Sequence, residues 1–328
     1  PYCCRNQRNG GCDYFLYKMK LSIIGAGNVG GLLALRLLEF YSGELVLIDI
    51  AKDLASAKAL DLEDSGAVYK YNYIIKGSPD IQEIKDSDIV IITAGFSRKP
   101  GMTREELLKK NSLIAKEIAL KIRSLCPKAI VLVVTNPVDI ITYLVLKISG
   151  FSPSRILGIG ANLDTARFAN LISKELNIPC AEIEAMVIGS HGEGMLPLAR
   201  FTFIKGIPLN KFMDEESINR LIEATIKRGA QIVSLYGNSS AYFAPSAAIS
   251  EVVKVILKDE HRTLGISAYL NGEYGIRDIC IGVPCSLSKK GIERIIELGL
   301  NPQEKELFIK AAESIERQKE QLLQDAIL

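Results

Sequence analysis

Short apolar segments alternate with segments of helical periodicity along the first 150 residues. Strands are predicted at 20–24, 44–50, 72–76, 87–93 and 129–134, and helices at 28–40, 54–68, 104–125 and 138–149. The predicted strands are apolar on both faces, which is typical of a parallel sheet covered by helices on each side. The first half is therefore predicted to be a doubly wound α/β domain.

The second half of the chain has a less regular pattern. Helices are predicted at 162–176, 215–236, 247–258 and 302–323, and strands at 184–188, 199–204 and 277–284. This mixture predicts a C-terminal α+β domain over 161–328, after an N-terminal domain over 19–160. The first eighteen residues show neither periodicity nor the apolar core of a signal peptide, and we interpret 1–18 as a non-native or dispensable extension before Met19.

Composition narrows the possible partners and the compartment. The 328 residues are 48% hydrophobic and 24% charged, and the net charge of +2 is too small to indicate a nucleic-acid or membrane partner. No apolar run approaches the roughly 18 residues of a membrane span. The seven cysteines lack the spacing of a disulfide framework or a metal site. Cys126, Cys180, Cys280 and Cys285 are predicted to be core residues in a reducing, cytoplasmic setting.

A glycine-rich turn follows the first predicted strand and opens the first helix. Gly25 allows a tight turn, Gly27 lets the main chain approach a pyrophosphate, and Gly30 lets the helix pack on the strand. Strand, turn and helix together indicate a Rossmann dinucleotide-binding fold, because the helix N-terminus attracts phosphate. The predicted cofactor contacts of this turn are Gly25, Ala26, Gly27, Asn28, Val29 and Gly30.

Asp49 ends the second predicted strand, about 20 residues beyond the glycines. An acidic side chain there accepts hydrogen bonds from the adenosine ribose and repels the 2′-phosphate of NADP. NAD is therefore the predicted cofactor. Taken alone, Asp49 is equally typical of a helix N-cap.

The chain has two histidines in different settings. His261 lies in the polar segment KDEHRT and is predicted to be solvated, whereas His191 lies among glycines in IGSHGEG after an apolar strand. Asp164 and Arg167, three residues apart in NLDTARF, share a helical face with apolar neighbours. A buried Asp can hold a histidine in one tautomer, and a buried Arg can bind a carboxylate through two hydrogen bonds. The alternative is a solvated ion pair.

Two further segments end strands at the same predicted sheet edge. The segment GFSRKPGMTR, residues 95–104, carries Arg98 and Arg104, and composition alone would favour a solvated basic loop. Asn136, in VTNP, can donate a hydrogen bond at this edge or serve only as a turn residue. Ligands of open α/β sheets bind at the carboxyl ends of the strands, so both segments are candidate binding loops.

The segments GAGNVG, TAGFSRKPGMTR, VTNPVD, NLDTARF and IGSHGEG, together with Asp49, closely resemble the lactate/malate dehydrogenase family. The resemblance runs from about Lys20 almost to the C-terminus, and is greatest to the malate dehydrogenases that are lactate-dehydrogenase-like in sequence. It implies that His191 is the proton acceptor, that Asp164 orients it, and that Arg104 polarises the substrate carbonyl.

The same resemblance implies the remaining contacts. Arg167 would bind the carboxylate beside the reacting carbon, and Arg98 would occupy the specificity position, where lactate dehydrogenases typically carry glutamine. The other implied cofactor contacts are Asn111, Val134, Thr135 and Asn136, of which Asn136 also touches substrate. The segment 242–246 would lie on the substrate side.

These roles imply an NAD-dependent dehydrogenase of the tricarboxylic acid cycle that interconverts (S)-malate and oxaloacetate, assembled as a homotetramer or a dimer. The alternative is a lactate or other 2-hydroxyacid dehydrogenase on the same scaffold. Arg98 argues against a substrate with an apolar tail, which would leave a cation unpaired in a closed site. A non-catalytic NAD-binding protein would be indicated by loss of His191, Asp164 or Arg167, and all three are present.

Overall fold

The computed structural model describes residues 19–51, 53–70, 73–96, 103–237 and 239–328, with the main chain alone at Arg104. Residues 1–18 and Arg98 therefore lie outside the described residues. The strands are β1 (Lys20–Ile24), β2 (Glu44–Ile48), β3 (Ile74–Ser78), β4 (Ile89–Ile92), β5 (Ile130–Val133), β6 (Ile156–Gly158), β7 (Ile183–Glu184), β8 (Val187–Gly189), β9 (Met195–Pro197), β10 (Phe203–Ile204), β11 (Ile207–Pro208), β12 (Arg262–Asn271), β13 (Arg277–Ser288) and β14 (Gly291–Ile295).

The helices of the described residues cover both faces of the sheet. They are α1 (Asn28–Leu38), α2 (Leu54–Tyr69), α3 (Arg104–Leu125), α4 (Val138–Ser149), α5 (Ala161–Leu176), α6 (Glu215–Tyr236), α7 (Phe243–Lys258) and α8 (Pro302–Gln324). Capping boxes stabilise the first turns of two helices. Thr103 and Glu106 form one at α3, and Asn301 and Glu304 form another at α8.

One large sheet runs through both halves of the described chain. Its order is β3-β2-β1-β4-β5-β6-β12-β13-β8-β9, with β14 on β13. The first six strands are parallel, as their apolar runs predict, and β12 then pairs with β6 in antiparallel fashion. This mixed α/β architecture, with a parallel dinucleotide-binding sheet followed by an α/β C-terminal part, confirms the predicted fold class.

Apolar side chains are buried on both faces of this sheet. One cluster includes Leu33, Val252 and Phe308, from α1, α7 and α8. The opposite cluster includes Ile122 and Leu144, from α3 and α4. A third cluster, around Phe168, Met195 and Leu221, joins α5 and α6 to the short strands of the second half. The strands β1 to β6 are thus covered on both sides, and their carboxyl edge is left for loops.

Several elements predicted for the second half differ from those in the structure. The predicted strand 199–204 is a 3-10 turn over Ala199–Phe201 followed by the two-residue strand β10, and 184–188 is divided between β7 and β8. The long strand β12 was missed. Its apolar alternation is intact, with apolar residues at Leu264, Ile266, Ala268 and Leu270. Gly265 lies close to α5, since a Cβ there would lie 3.1 Å from Ala161. The prediction that Cys180 is a core residue is wrong, because its side chain is exposed at the start of a 3-10 turn.

No helix in the described part of the chain is long and apolar enough to cross a membrane.

Candidate active site

The glycine turn between β1 and α1 has the geometry that its sequence predicts. Gly25 has a φ of +107°, and a Cβ there would lie 2.5 Å from the Ala94 nitrogen. A Cβ on Gly30 would lie 1.9 Å from the Gly25 oxygen, so the helix packs on the turn only because Gly30 has no side chain. A Cβ on Gly27 would meet no atom of the described residues within 4 Å, which leaves this side of the turn accessible to a phosphate.

The N-terminus of α1 faces outward from this turn. Gly27 is the N-cap residue, and in the described part of the chain no side chain caps the helix. Its first N–H groups and the helix dipole are therefore available to an anion. Ala26 is buried, Asn28 is exposed and Val29 is half-buried. These residues fit a bound dinucleotide pyrophosphate.

Asp49 lies directly after β2, beside the glycine turn. One carboxylate oxygen accepts a hydrogen bond from the Ala26 N–H at 2.7 Å, and the other accepts one from the Ala51 N–H at 2.8 Å. The carboxylate is thus tied to the turn itself and is partly exposed. This placement supports its predicted role toward the cofactor ribose and does not support the N-cap alternative, because the N-cap of α2 is Asp53.

Lys58 is a cation at this turn that the sequence motifs did not reveal. Its Nζ donates to the Gly27 oxygen at 2.8 Å. Partial burial lowers the pKa of Lys58, while the Asp49 carboxylate opposes the shift. Lys58 sits nine residues beyond Asp49, within α2, and no spacing rule indicated that it would return to the glycine turn.

Side-chain hydrogen bonds hold the carboxyl ends of β4 and β5 close to the glycine turn. The Thr135 hydroxyl donates to the Ala94 oxygen at 2.6 Å, and Thr93 donates to the Gly25 oxygen at 2.7 Å. Val134 continues β5 by donating its N–H to Ile92. These bonds place the predicted contacts Val134 and Thr135 next to the glycine turn.

Asn111, on α3, is fully buried below this edge. Its amide nitrogen donates to the Phe96 and Asn136 oxygens, at 3.1 and 2.7 Å, and its oxygen accepts from the Phe96 N–H at 2.7 Å. The hydrogen-bonding groups of Asn111 therefore hold the main chain of two loops. Asn136, which the structure leaves exposed, precedes Pro137 in a cis peptide bond.

The catalytic candidates meet on one buried carboxylate. Asp164, in the first turn of α5, is 1% exposed; one oxygen lies 2.7 Å from His191 Nδ1 and the other 3.1 Å from an Arg167 guanidinium nitrogen. Gly160 permits this approach, since a Cβ there would lie 2.9 Å from the His191 Cβ. The ion pair is buried, so the alternative of a solvated pair is not what the structure shows.

The electrostatics of this cluster favour a proton on His191. Burial alone would lower the pKa of His191, but the Asp164 carboxylate outweighs that effect and the pKa is raised above 6.5. Arg167 acts in the opposite direction. Its Nε is a buried nitrogen without a hydrogen-bond partner among the described residues. The unpaired Nε donor of Arg167, beside the partly exposed His191, is suited to binding an anionic substrate.

Asp139 is a second buried carboxylate at this centre, and the sequence motifs did not assign it a role. It lies in the first turn of α4, directly after the Asn136–Pro137 bond, and is 4% exposed. One of its oxygens accepts from the His191 N–H and from the Ser190 hydroxyl, both at 2.9 Å. Asp139 belongs to the segment VTNPVD, but its hydrogen-bond partners Ser190 and His191 lie more than fifty residues away in the sequence.

The remaining substrate candidates are only partly described. Arg98 lies outside the described residues, and the side chain of Arg104 is likewise outside them, although its main chain begins α3. Within the segment 242–246, Phe243 begins α7 and Ser246 is buried, where its hydroxyl accepts a hydrogen bond from Arg36 on α1 at 3.0 Å.

The glycine turn with Asp49 and the buried Asp164–His191 pair define a class: a dinucleotide-binding enzyme with an acid–base centre at the edge of a parallel sheet. Models of two domain families match the chain. Residues 19–158 match the NAD-binding domain of lactate/malate dehydrogenases, and residues 161–325 match the α/β C-terminal domain. The chain belongs to the lactate/malate dehydrogenase family, whose members are NAD-dependent oxidoreductases.

Individual relatives agree with this assignment. The chain is 47% identical over 298 residues to a malate dehydrogenase of Methanosarcina acetivorans, covering 91% of this chain and 97% of the relative. The crystal structure of a Cryptosporidium parvum malate dehydrogenase superimposes with a TM-score of 0.90 at 36% identity, covering 94% and 99% of the chains. A lactate dehydrogenase of Eimeria maxima with NADH and oxamate gives a TM-score of 0.89 at 34% identity, covering 98% of both.

Proposed function

We propose that this protein is an NAD-dependent malate dehydrogenase, which transfers a hydride reversibly between (S)-malate and NAD+. The observation that carries the proposal is the shared buried carboxylate of Asp164, which holds a proton acceptor and a carboxylate-binding cation side by side. Relatives at 41–47% identity that are named malate dehydrogenase support the choice of substrate.

In malate oxidation, the guanidinium of Arg167 binds the carboxylate next to C2 through paired hydrogen bonds. Neutral His191 removes the hydroxyl proton through its outer nitrogen, because Nδ1 is engaged by Asp164. The imidazolium that forms is stabilised by the Asp164 carboxylate, and the reverse reaction returns the proton to the new alkoxide. Bound NAD+ supplies the hydride acceptor. Asn136 and the N-terminus of α1 are assigned to holding the dinucleotide.

Two arginines complete the proposal on the strength of the family resemblance. Arg98 binds the carboxylate distal to the reacting carbon, and Arg104 polarises the carbonyl oxygen. Arg98 belongs to the segment that follows Phe96, whose main chain is held by Asn111. Arg104 is the first residue of α3, directly after the capping residue Thr103. A lactate dehydrogenase is the alternative, favoured only if Arg98 does not select a dicarboxylate.

The compartment, the oligomeric state and the domain boundary are also part of the proposal. Buried free thiols at Cys126, Cys280 and Cys285 support a reducing, cytoplasmic compartment. A role in the tricarboxylic acid cycle is proposed from the malate–oxaloacetate reaction alone. Exposed apolar side chains on α2 and α6, Val68 and Leu235 among them, support a homotetramer or dimer. The proposed domain boundary, at 160/161, is supported by the adjoining limits of the two family models.

A paired-substrate assay tests the activity. NADH oxidation is followed with oxaloacetate and with pyruvate as the only acceptor, and the reduced product is identified by chromatography. The proposal expects malate from oxaloacetate, and kcat/KM at least tens-fold higher for oxaloacetate than for pyruvate, since an unpaired charge in a closed site costs about 2–5 kcal/mol. Higher kcat/KM with pyruvate would favour the lactate alternative, and no reduction of either would exclude both.

A further inference from the structure

The loop that carries His191 is held from behind by a carboxylate that the proposed mechanism does not use. His191 and Ser190 lie between β8 and β9, and both hydrogen-bond to one oxygen of Asp139. The other oxygen of Asp139 accepts from the Ser267 hydroxyl, on β12, at 2.6 Å. Asp139 thus joins α4, which follows the cofactor edge, to the His191 loop and to the central strand of the second half.

The donors around Asp139 favour its ionised form. The His191 N–H can only donate, and the two serine hydroxyls are both free to turn as donors toward the carboxylate. A carboxylate that accepts several hydrogen bonds is stabilised in its charged form, even when it is buried. Burial raises the pKa of Asp139, and the bonds from Ser267 and from the His191 main chain oppose that shift.

We propose that Asp139 is a second buried carboxylate acting on His191: when ionised, it fixes the main chain of the histidine loop and stabilises the imidazolium. It is a positioning residue, since it reaches His191 through the main chain and through space, and it does not touch the substrate. The inference rests on the proposed function of His191 as the proton acceptor.

The charged groups acting on His191 support this assignment. The largest contributions among the described residues come from Asp164 and Arg167 on α5 and from Asp139 on α4. Asp164 raises the pKa of His191, Arg167 lowers it, and Asp139 raises it. Without Asp139, one carboxylate would face one guanidinium, and an imidazolium would add an uncompensated positive charge. Cys280 also faces Asp139, and burial raises the pKa of that thiol well above its usual range.

The substitution Asp139→Asn separates charge from geometry. The asparagine oxygen can accept from the His191 N–H and from Ser190, while its NH2 donates to a reversed Ser267 hydroxyl. Ser267→Ala is the matched control, because it removes one hydrogen bond of Asp139 and keeps the charge. Thermal melting of each variant verifies that the fold is retained.

The readout is the NMR titration of histidines labelled at Cε1 in the intact enzyme without substrate. The chain gives two signals, and His261→Gln identifies that of His191. Asp139→Asn should lower the His191 midpoint by about one pH unit or more, whereas Ser267→Ala should leave it near the wild-type value. The decline of kcat/KM for oxaloacetate with rising pH should move down equally.

Three results would overturn the proposal. One is an unchanged His191 midpoint in a folded Asp139→Asn variant, and another is an equal decrease in Ser267→Ala. The third is an infrared carbonyl band of a buried, protonated carboxylic acid near neutral pH that is present in wild type and absent from Asp139→Asn, where the proposal expects a carboxylate. Because the titration needs no substrate, its failure is separate from a failure of the proposed activity.

Discussion

The two histidines of this chain form similar hydrogen bonds in very different surroundings. His191 Nδ1 lies 2.7 Å from Asp164, and His261 Nδ1 lies 2.9 Å from Glu293. A second carboxylate flanks each, Asp139 in one case and Asp259 in the other. The difference is exposure: the side chain of His191 is 16% exposed and that of His261 is 57% exposed, while their partners Asp164 and Glu293 are 1% and 36% exposed.

Burial decides what such a pair can do. Around His261, water and salt screen the carboxylates, so the pair contributes little to stability. Around His191, the low dielectric strengthens the same interaction, and Arg167 adds a cation for an anionic substrate. A histidine–carboxylate contact is therefore not in itself a sign of catalysis; its burial beside an unpaired donor is.

Replacing each histidine in turn gives the largest expected contrast. His191→Asn should lower kcat for oxaloacetate by about 10²–10⁴, since it removes the proton donor, and should leave NADH affinity nearly unchanged. His261→Asn is the matched control and should keep kcat close to wild type. Steady-state kinetics and NADH fluorescence titration measure the two quantities. If His191→Asn keeps more than about a tenth of wild-type kcat, His191 is not the proton donor.

Replacing the carboxylate partners sharpens the contrast. Asp164→Asn should lower kcat on the order of 10²-fold, because the amide neither stabilises the imidazolium nor enforces the same tautomer. Glu293→Gln removes the corresponding partner of His261 and should have no effect on kcat. The same steady-state assay measures both variants, and similar losses in the two would remove the distinction between the sites.

Asp49→Ser should alter cofactor choice and leave both histidines undisturbed. The lost carboxylate no longer repels a 2′-phosphate, and a close like-charge contact is worth about 1–4 kcal/mol, so the NADH/NADPH ratio of kcat/KM should fall by at least about fivefold. The ratio is measured with oxaloacetate saturating. An unchanged ratio would contradict the placement of the ribose beside Asp49.

The pH dependence should follow His191 alone. Asp164 outweighs burial and raises the pKa of His191 above 6.5, so the protonated form required for oxaloacetate reduction persists beyond that pH. At saturating cofactor, kcat/KM for oxaloacetate should fall, and that for malate should rise, through a common midpoint above 6.5. The profiles of His261→Asn should coincide with those of wild type. A midpoint below 6.5 in both directions would contradict the account.

Local sequence patterns predicted the strands, the turn and the helix of the dinucleotide-binding part, because these elements depend on main-chain geometry and glycine spacing. The turn at Gly25, the helix that follows it and the strand before Asp49 all lie within one continuous segment. The proposed catalytic centre assembles residues from distant segments, and motif resemblance predicted His191, Asp164 and Arg167, which the structure brings together. It gave no indication of the roles of Asp139 or Lys58, whose partners depend on tertiary packing.

The strand β12 was missed although its apolar alternation is intact, with apolar residues at Leu264, Ile266, Ala268 and Leu270. Its Ser267 donates to the buried Asp139, and its Gly265 leaves room for Ala161. These two contacts join residues that are distant in the sequence, so periodicity alone could not predict them.

The most direct test of the central claim measures kcat/KM for oxaloacetate and for pyruvate in wild type, Arg98→Gln and Arg167→Gln. Arg98→Gln should lower the value for oxaloacetate by tens-fold or more, because losing one partner of a desolvated charge pair costs about 2–5 kcal/mol, and should raise it for pyruvate. Arg167→Gln should lower both, and Arg220→Gln, on the exposed surface of α6, should change neither. Equal losses for the two substrates in Arg98→Gln would contradict the assignment of a dicarboxylate substrate.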